Sequence, residues 1–547
     1  MENSRFYSNK ITTISMILCF IALIIFISIP IIYQDSIVSE HQDSKVFTRF
    51  PADSENSASE PETDRFLGGL LSPQFDEESC ISRYNSYLYH KTSPRNPSPY
   101  LLSKLRKYEK RHKRCGPDSK SYNKAVTELN SSRILDNSTS SCNYIVWLPS
   151  NGLGNRIVSM ASGFLYALLT DRILLVKHGT DMADLFCEPF PNSSWLLPLN
   201  FPLRNLFDSS EMRDVHSFGN LLRQYNRNVS TSSVPSRAFL LLYLAYNYDD
   251  HDKLFYSDQN QEFLRKVRWL VLKSDQYFVP YLFTMSTFRK KLDRLFPDKD
   301  TVFHQVSRYL FHPSNQAWGL ITRFYDAYLA KADERIGLQI RVFNPEASPS
   351  NLVMQQILSC TDKENLIPKL DRRKPEAYSL SKNQTTKAIL VASLHSIYYE
   401  NLRHMYWMKA TLNGEIIGVF QASHEEFQHF GDKMHNLKAW AEMNVLSMMD
   451  VLVTSSWSTF GYVAQGLGGL NPWILFIPDN DNTRANPDLA PDPPCRRAIS
   501  MEPCFHFPPS YDRKNNVRLE DDVDFGPYVR HCEDVSWGLK LVNNDYV

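Results

Sequence analysis

The sequence predicts an α/β protein with two Rossmann-like lobes, carried behind a single N-terminal membrane helix. Three observations predict it. A charge-free apolar segment lies close to the N-terminus, and short apolar runs alternate with helical patterns from about residue 140 onward. Turns rich in glycine or hydroxyl residues close several of those runs.

The chain has 547 residues, 43% of them hydrophobic, which is enough apolar material for a large core and about two to four folded units. Lys plus Arg and Asp plus Glu each total 60, so no basic surplus supports a nucleic-acid partner. The basic run Lys104–Arg114 reads as a solvated helix face.

Ile11–Tyr33 carries no charge and is long enough to cross ~30 Å of hydrocarbon. No small-residue cleavage site follows Pro30, which argues against a removed signal peptide. Arg5 and Lys10 precede the span, and Asp35, Glu40 and Asp43 follow it. The positive-inside rule then makes 1–10 a cytosolic tail, 11–33 the anchor and 65–547 a luminal region. Residues 34–64 are polar, acidic and poor in aromatics, the composition of a flexible stem.

A luminal location fits two further features. Beyond Cys19 in the span there are eight cysteines, compatible with up to four disulfides whose pairing the sequence leaves open. No C-x-x-C spacing suggests zinc. Glycosylation acceptors stand at Asn130, Asn137, Asn192, Asn228 and Asn383.

Tyr144–Leu148 reads as a buried strand, Asn155–Thr170 as a helix with small residues on one side, and Arg172–Val176 as the next strand. Arg335–Ile340, Ala388–Ser393, Ile416–Phe420, Asp450–Thr454 and Trp473–Ile477 read as further strands, with helices at Asp432–Met449 and Ser458–Gly466. The lobes are placed at about 140–310 and 335–490, joined by a helix over Trp318–Ala332.

Three turns can carry chemistry. Asn151-Gly152-Leu153-Gly154-Asn155-Arg156 lies between strand and helix, where backbone N–H groups and an Arg fork suit a phosphate; a ligand-free tight turn is the other reading. Arg341 follows a strand at a carboxyl end, where it either neutralises a diphosphate or makes a surface ion pair. Ser458, Thr459, Phe460 and Tyr462 open a helix, as a phosphate and base site or as plain capping and core. Asp275, among aromatics, is the candidate base, against a plain loop aspartate; His395 and His424 are lesser candidates. Asp479 and Asp481 have the D-x-D form of a Mg²⁺ or Mn²⁺ site, and equally of a turn.

The runs NGLGNRIVSMASGFLYALLTDRILLV, DMADLFCEPFPNSSWLLP, GLQIRVF and VTSSWSTFGYVAQGLGGLNPWIL resemble those of plant xyloglucan-type fucosyltransferases, from about Phe66 to the C-terminus. The resemblance implies a GT-B-like fold with GDP-fucose in its cleft and no divalent metal. It also implies inversion to an α-1,2-linked product, at a Golgi membrane. By position, Arg341 matches the diphosphate Arg, and Gly152, Gly154, Asn155 and Arg156 match the glycine loop. Ser458, Thr459, Phe460 and Tyr462 match the donor motif, and Asp275 matches an acid near the acceptor. The acceptor is read as galactose of xyloglucan, with arabinogalactan proteins or an inactive glycan-binding scaffold as alternatives. A homodimer, or a complex with other glycosyltransferases, completes the expected partners.

Overall fold

The computed structural model describes residues 64–91, 95–130, 142–224, 237–371, 384–476, 491–512, 517–518 and 525–543. The expected tail, the anchor and the stem up to residue 63 lie outside these, as do Asn137, Asn228, Asn383, Asp479 and Asp481. Among the described residues no helix is long and apolar enough to cross a membrane.

Two parallel sheets organise the chain. The first has the order β2-β1-β4-β3, from Tyr144–Leu148 (β1), Ile173–Val176 (β2), Phe239–Leu244 (β3) and Trp269–Ser274 (β4). The second is built from Glu334–Ile340 (β5), Thr386–Ser393 (β6), Ile416–Phe420 (β7), Val451–Ser455 (β8), Trp473–Leu475 (β9) and Cys495–Arg497 (β10), in the order β10-β9-β8-β5-β6-β7. Read from β7, that is the 3-2-1-4-5-6 order of a doubly wound sheet, with β10 added antiparallel.

Alternation within β1 shows why these strands are apolar on both sides. Ile145 and Trp147 face one core, while Tyr144, Val146 and Leu148 face another. Helix Leu153–Thr170 (α1) crosses the first sheet almost wholly buried. Its small residues permit the approach: a Cβ on Gly163 would stand 3.0 Å from Leu272. Strands β3 and β4, which the sequence reading did not single out, complete this sheet.

The connection between lobes is helix Asn315–Phe324 (α2), capped by the Ser314 hydroxyl at 3.2 Å from the Ala317 amide, followed by a π-turn over Tyr325–Leu329. Helices Lys433–Ser447 (α3) and Thr459–Gly468 (α4) belong to the second lobe by sequence. Yet Leu437, Trp440, Met443, Val463 and Leu467 enter the same apolar cluster as Ile157 and Phe164 of α1. Phe505, Leu539 and Leu541, beyond the expected lobe end at 490, join it as well.

The eight cysteines form four disulfides, Cys80–Cys187, Cys115–Cys142, Cys360–Cys495 and Cys504–Cys532. Asn130 and Asn192 are exposed. Lys104 and Arg111 of the basic run both pair with Asp171, while Leu105, Tyr108 and His112 turn inward.

Cys360–Cys495 ties helix Ser350–Lys363 to edge strand β10 across 135 residues of sequence. Replacing both cysteines by serine should lower stability by about 2–5 kcal/mol, read as a lower thermal midpoint.

Candidate active site

Strands β5 and β8 are neighbours, but the chain leaves β5 towards β6 on one side and reaches β8 on the other. Ligands of doubly wound sheets bind at such a switch point, outside the carboxyl ends. Here those ends carry Arg341 and the turn Ser456-Trp457-Ser458. A cleft of about 320 Å³ opens there, closed on its far side by the Asn151–Asn155 turn of the first lobe.

Two helix N-termini meet in this cleft. A Cβ on Gly154 would lie 2.7 Å from the Thr459 hydroxyl and 2.8 Å from the Thr459 carbonyl carbon. Gly154 therefore serves helix contact. Gly152 differs, since a Cβ there would meet nothing nearer than 3.9 Å. Neither helix is capped by its own N-cap side chain, Gly152 for α1 and Ser458 for α4, so first-turn N–H groups remain directed at the cleft.

Each cap is preceded by a residue in the left-handed region, Asn151 at φ 59° and Trp457 at φ 61°. Each of these residues is held by a carboxylate. Asp275 accepts from the Asn151 side-chain amide, from the Tyr246 N–H at 2.9 Å and from Gln276 Nε2 at 2.8 Å. Asp534 accepts from the Trp457 N–H at 3.0 Å and from the Tyr462 hydroxyl at 2.6 Å, while its carbonyl takes the Trp457 indole N–H at 3.0 Å.

These contacts revise several expectations. Asp275 is 2% exposed and stands behind the glycine turn, outside the cleft lining, with burial raising its pKa. Its position is that of a brace. Arg156 also turns from the cleft, pairing with Asp181 at 2.6 Å and donating to the Asn151 carbonyl at 2.8 Å. Tyr462 is buried, its hydroxyl shared between Asp534 and His506. A polar side chain near a ligand turn has two ways to be used, and in all three cases partners within the fold claimed it.

Asn155, Arg341, Ser458, Thr459 and Phe460 do line the cleft. Asn155 bridges the lobes, donating to the Asp275 carbonyl at 3.1 Å and accepting from the Thr459 hydroxyl at 3.1 Å. The Arg341 N–H is fixed on Ser455 Oγ at 2.9 Å, and its guanidinium lies 5.4 Å from the Phe343 ring centre. Among the described residues it has no carboxylate partner, and burial lowers its pKa. An arginine stays charged under so modest an influence.

The sequence reading missed the polar stripe of α3. His435, Lys438 and Glu442 face the cleft from this helix, three and four residues apart. Burial pushes the Glu442 carboxyl up to about 7, and it accepts from Ser423 Oγ at 2.7 Å. Polar residues at helical spacing within an otherwise apolar helix were the available signal. His395 and His424 lie on the rim near Glu426, at 3.3 and 3.8 Å, and do not line the cleft. Cys504, Cys532 and Asp534 cluster closely, but both sulfurs are in a disulfide and the carboxylate holds Trp457 and Tyr462.

A doubly wound nucleotide-type lobe facing a second α/β lobe across a cleft that holds Arg341 and two helix N-termini fits the architecture of a nucleotide-sugar transferase. Residues 39–514 match the xyloglucan fucosyltransferase family, and the chain belongs to that family. A galactoside 2-alpha-L-fucosyltransferase of Pisum sativum is 53% identical over 88% of this chain and 82% of its own length. The Arabidopsis thaliana galactoside 2-alpha-L-fucosyltransferase is also 53% identical, over 88% and 83%. The solved structure of a mutant of Arabidopsis thaliana FUT1 in complex with GDP matches with a TM-score of 0.78 at 52% identity, covering 88% of this chain and 100% of that one.

Asp275→Asn should destabilise the chain by about 1–3 kcal/mol, because the amide turns an NH₂ donor towards a site where three donors converge. Denaturant unfolding reads this directly. Unchanged stability with a collapse of turnover would return Asp275 to the role of base.

Proposed function

We propose that this chain transfers L-fucose from GDP-fucose, with inversion, to the 2-hydroxyl of a galactose in xyloglucan, giving an α-1,2 linkage. The observation that carries this reading is the convergence on one cleft of two helix N-termini without side-chain caps and the Arg341 guanidinium, which has no carboxylate partner among the described residues. Two positive dipole ends and a guanidinium repel one another unless an anion lies between them. A diphosphate is such an anion.

Transfer then needs the leaving group neutralised as the fucosyl carbon loses its bond to phosphate oxygen. Arg341 and the first-turn amides of α4 supply that charge where it develops. Glu442, farther along the cleft, offers an acceptor for the N1–H and N2–H groups of guanine. Much of the rate is assigned to positioning and charge, with Asp275 acting through the glycine turn that it braces.

Among the described residues Arg341 has no carboxylate partner and is left to neutralise the diphosphate, so we read the transfer as metal-independent. The two lobes are read as GT-B-like. We place the chain in the Golgi membrane through its apolar segment 11–33, as a single-pass protein with its catalytic region in the lumen. The family match and the resemblance of motifs support xyloglucan as acceptor. Labelled GDP-fucose offered in parallel to defucosylated xyloglucan and defucosylated arabinogalactan tests this. Label in xyloglucan, undiminished by EDTA, is expected, and label confined to arabinogalactan overturns the acceptor.

Arg341→Ala should reduce transfer by at least ~100-fold with the thermal midpoint nearly unchanged. Full activity in that variant would remove Arg341 from the site. Because burial raises the Glu442 carboxyl to about 7, and only the ionised form offers both oxygens as acceptors to guanine, GDP should bind more weakly as pH falls. Calorimetry should show up to about tenfold weaker binding at pH 6 than at pH 8, and Glu442→Gln should flatten that dependence.

A further inference from the structure

A second, smaller cavity of about 80 Å³ lies away from the cleft. His90, His304 and Arg308 line it, together with Gly68, Lys91 and Arg95. Lys91 pairs with Asp450 at 2.9 Å, and Arg95 pairs with Asp300. Asp64, also in the lining, is occupied by the Phe66 and Gly68 amides. Arg308 is left over. Among the described residues its guanidinium has neither a carboxylate nor a hydrogen-bond acceptor, and burial pulls its pKa down to about 10.

Arg308 is half-buried, and its guanidinium donors open on a cavity that supplies, among the described residues, no protein acceptor for them. The two imidazoles are not its partners. His304 Nδ1 lies 2.7 Å from the Gly466 carbonyl, and His90 Nε2 lies 2.9 Å from Ser447 Oγ. Burial and the charge of Arg308 hold His90 down to about 4 and His304 to about 3. Both rings therefore stand neutral beside a cation, in a cavity with room for more than one water.

We propose that this cavity is a binding site for a tetrahedral oxyanion, inorganic phosphate or sulfate, with Arg308 as its principal ligand. The fork of Arg308 meets two oxygens at once. The site's place in the fold gives it a second consequence. Ser447 ends α3 and Gly466 lies in the last turn of α4, so the two imidazoles grip the far ends of the helices that line the donor cleft.

Isothermal titration of the full-length chain with sodium phosphate, and separately with sodium sulfate, at constant ionic strength tests this. With the donor cleft filled by excess GDP, the wild type should bind one oxyanion per chain, and the tighter of the two salts identifies the natural ligand. Arg308→Gln should bind it at least ~10-fold more weakly. No oxyanion binding by the GDP-loaded wild type, or full binding kept in Arg308→Gln, overturns the proposal. Arg308→Lys keeps charge without the fork and should fall between the two, so the assignment stands or falls even if the glutamine variant does not fold.

Discussion

The close approach of the first turns of α1 and α4 organises the molecule. It depends on position 154 having no side chain, because any Cβ there would press into the Thr459 backbone. From that contact follow the shared apolar core, the placement of the glycine turn opposite Arg341, and the cleft between them. Two helix ends of the same sign do not attract. Burial of Val463, Leu467, Trp440 and Met443 against α1 supplies the force that holds them together. The field that results is left for a ligand to satisfy.

Each helix end is set by the same device. A non-glycine residue in the left-handed region costs of order 1–3 kcal/mol and persists only when its surroundings fix it. Asn151 is fixed by Asp275 and Trp457 by Asp534. The second brace comes from the C-terminal segment, itself closed by Cys504–Cys532 and packed with Tyr462 and Val535. Residues past the expected end of the lobe thus shape a turn within it.

Much of the second sheet was legible in the sequence. β7 falls where its apolar run predicts, and β5, β6 and β8 differ by a residue or two, because buried parallel strands are continuous apolar runs. β3 and β4 were passed over although FLLLYL and WLVLKS are equally apolar. Nothing local distinguishes such a run from a buried helix turn. In the site, Arg341 and the Ser458–Phe460 turn lie at strand ends and could be read from position alone. Glu442 sits mid-helix, and only packing against Ser423 reveals its burial.

By itself the sequence determined the order of strands and helices in the second lobe, the turns that close them and the residue types offered at each turn, because these follow from local pattern and periodicity. The tertiary structure alone decided which of the offered side chains face the cleft. Arg156, Tyr462 and Asp275 were each within reach of a ligand along the chain, and each was taken by a partner distant in sequence, Asp181, Asp534 and the backbone of Tyr246. A hydrogen-bonding group satisfied by the fold is not available to a substrate, and which groups are satisfied is a property of contacts between segments that the linear order does not contain.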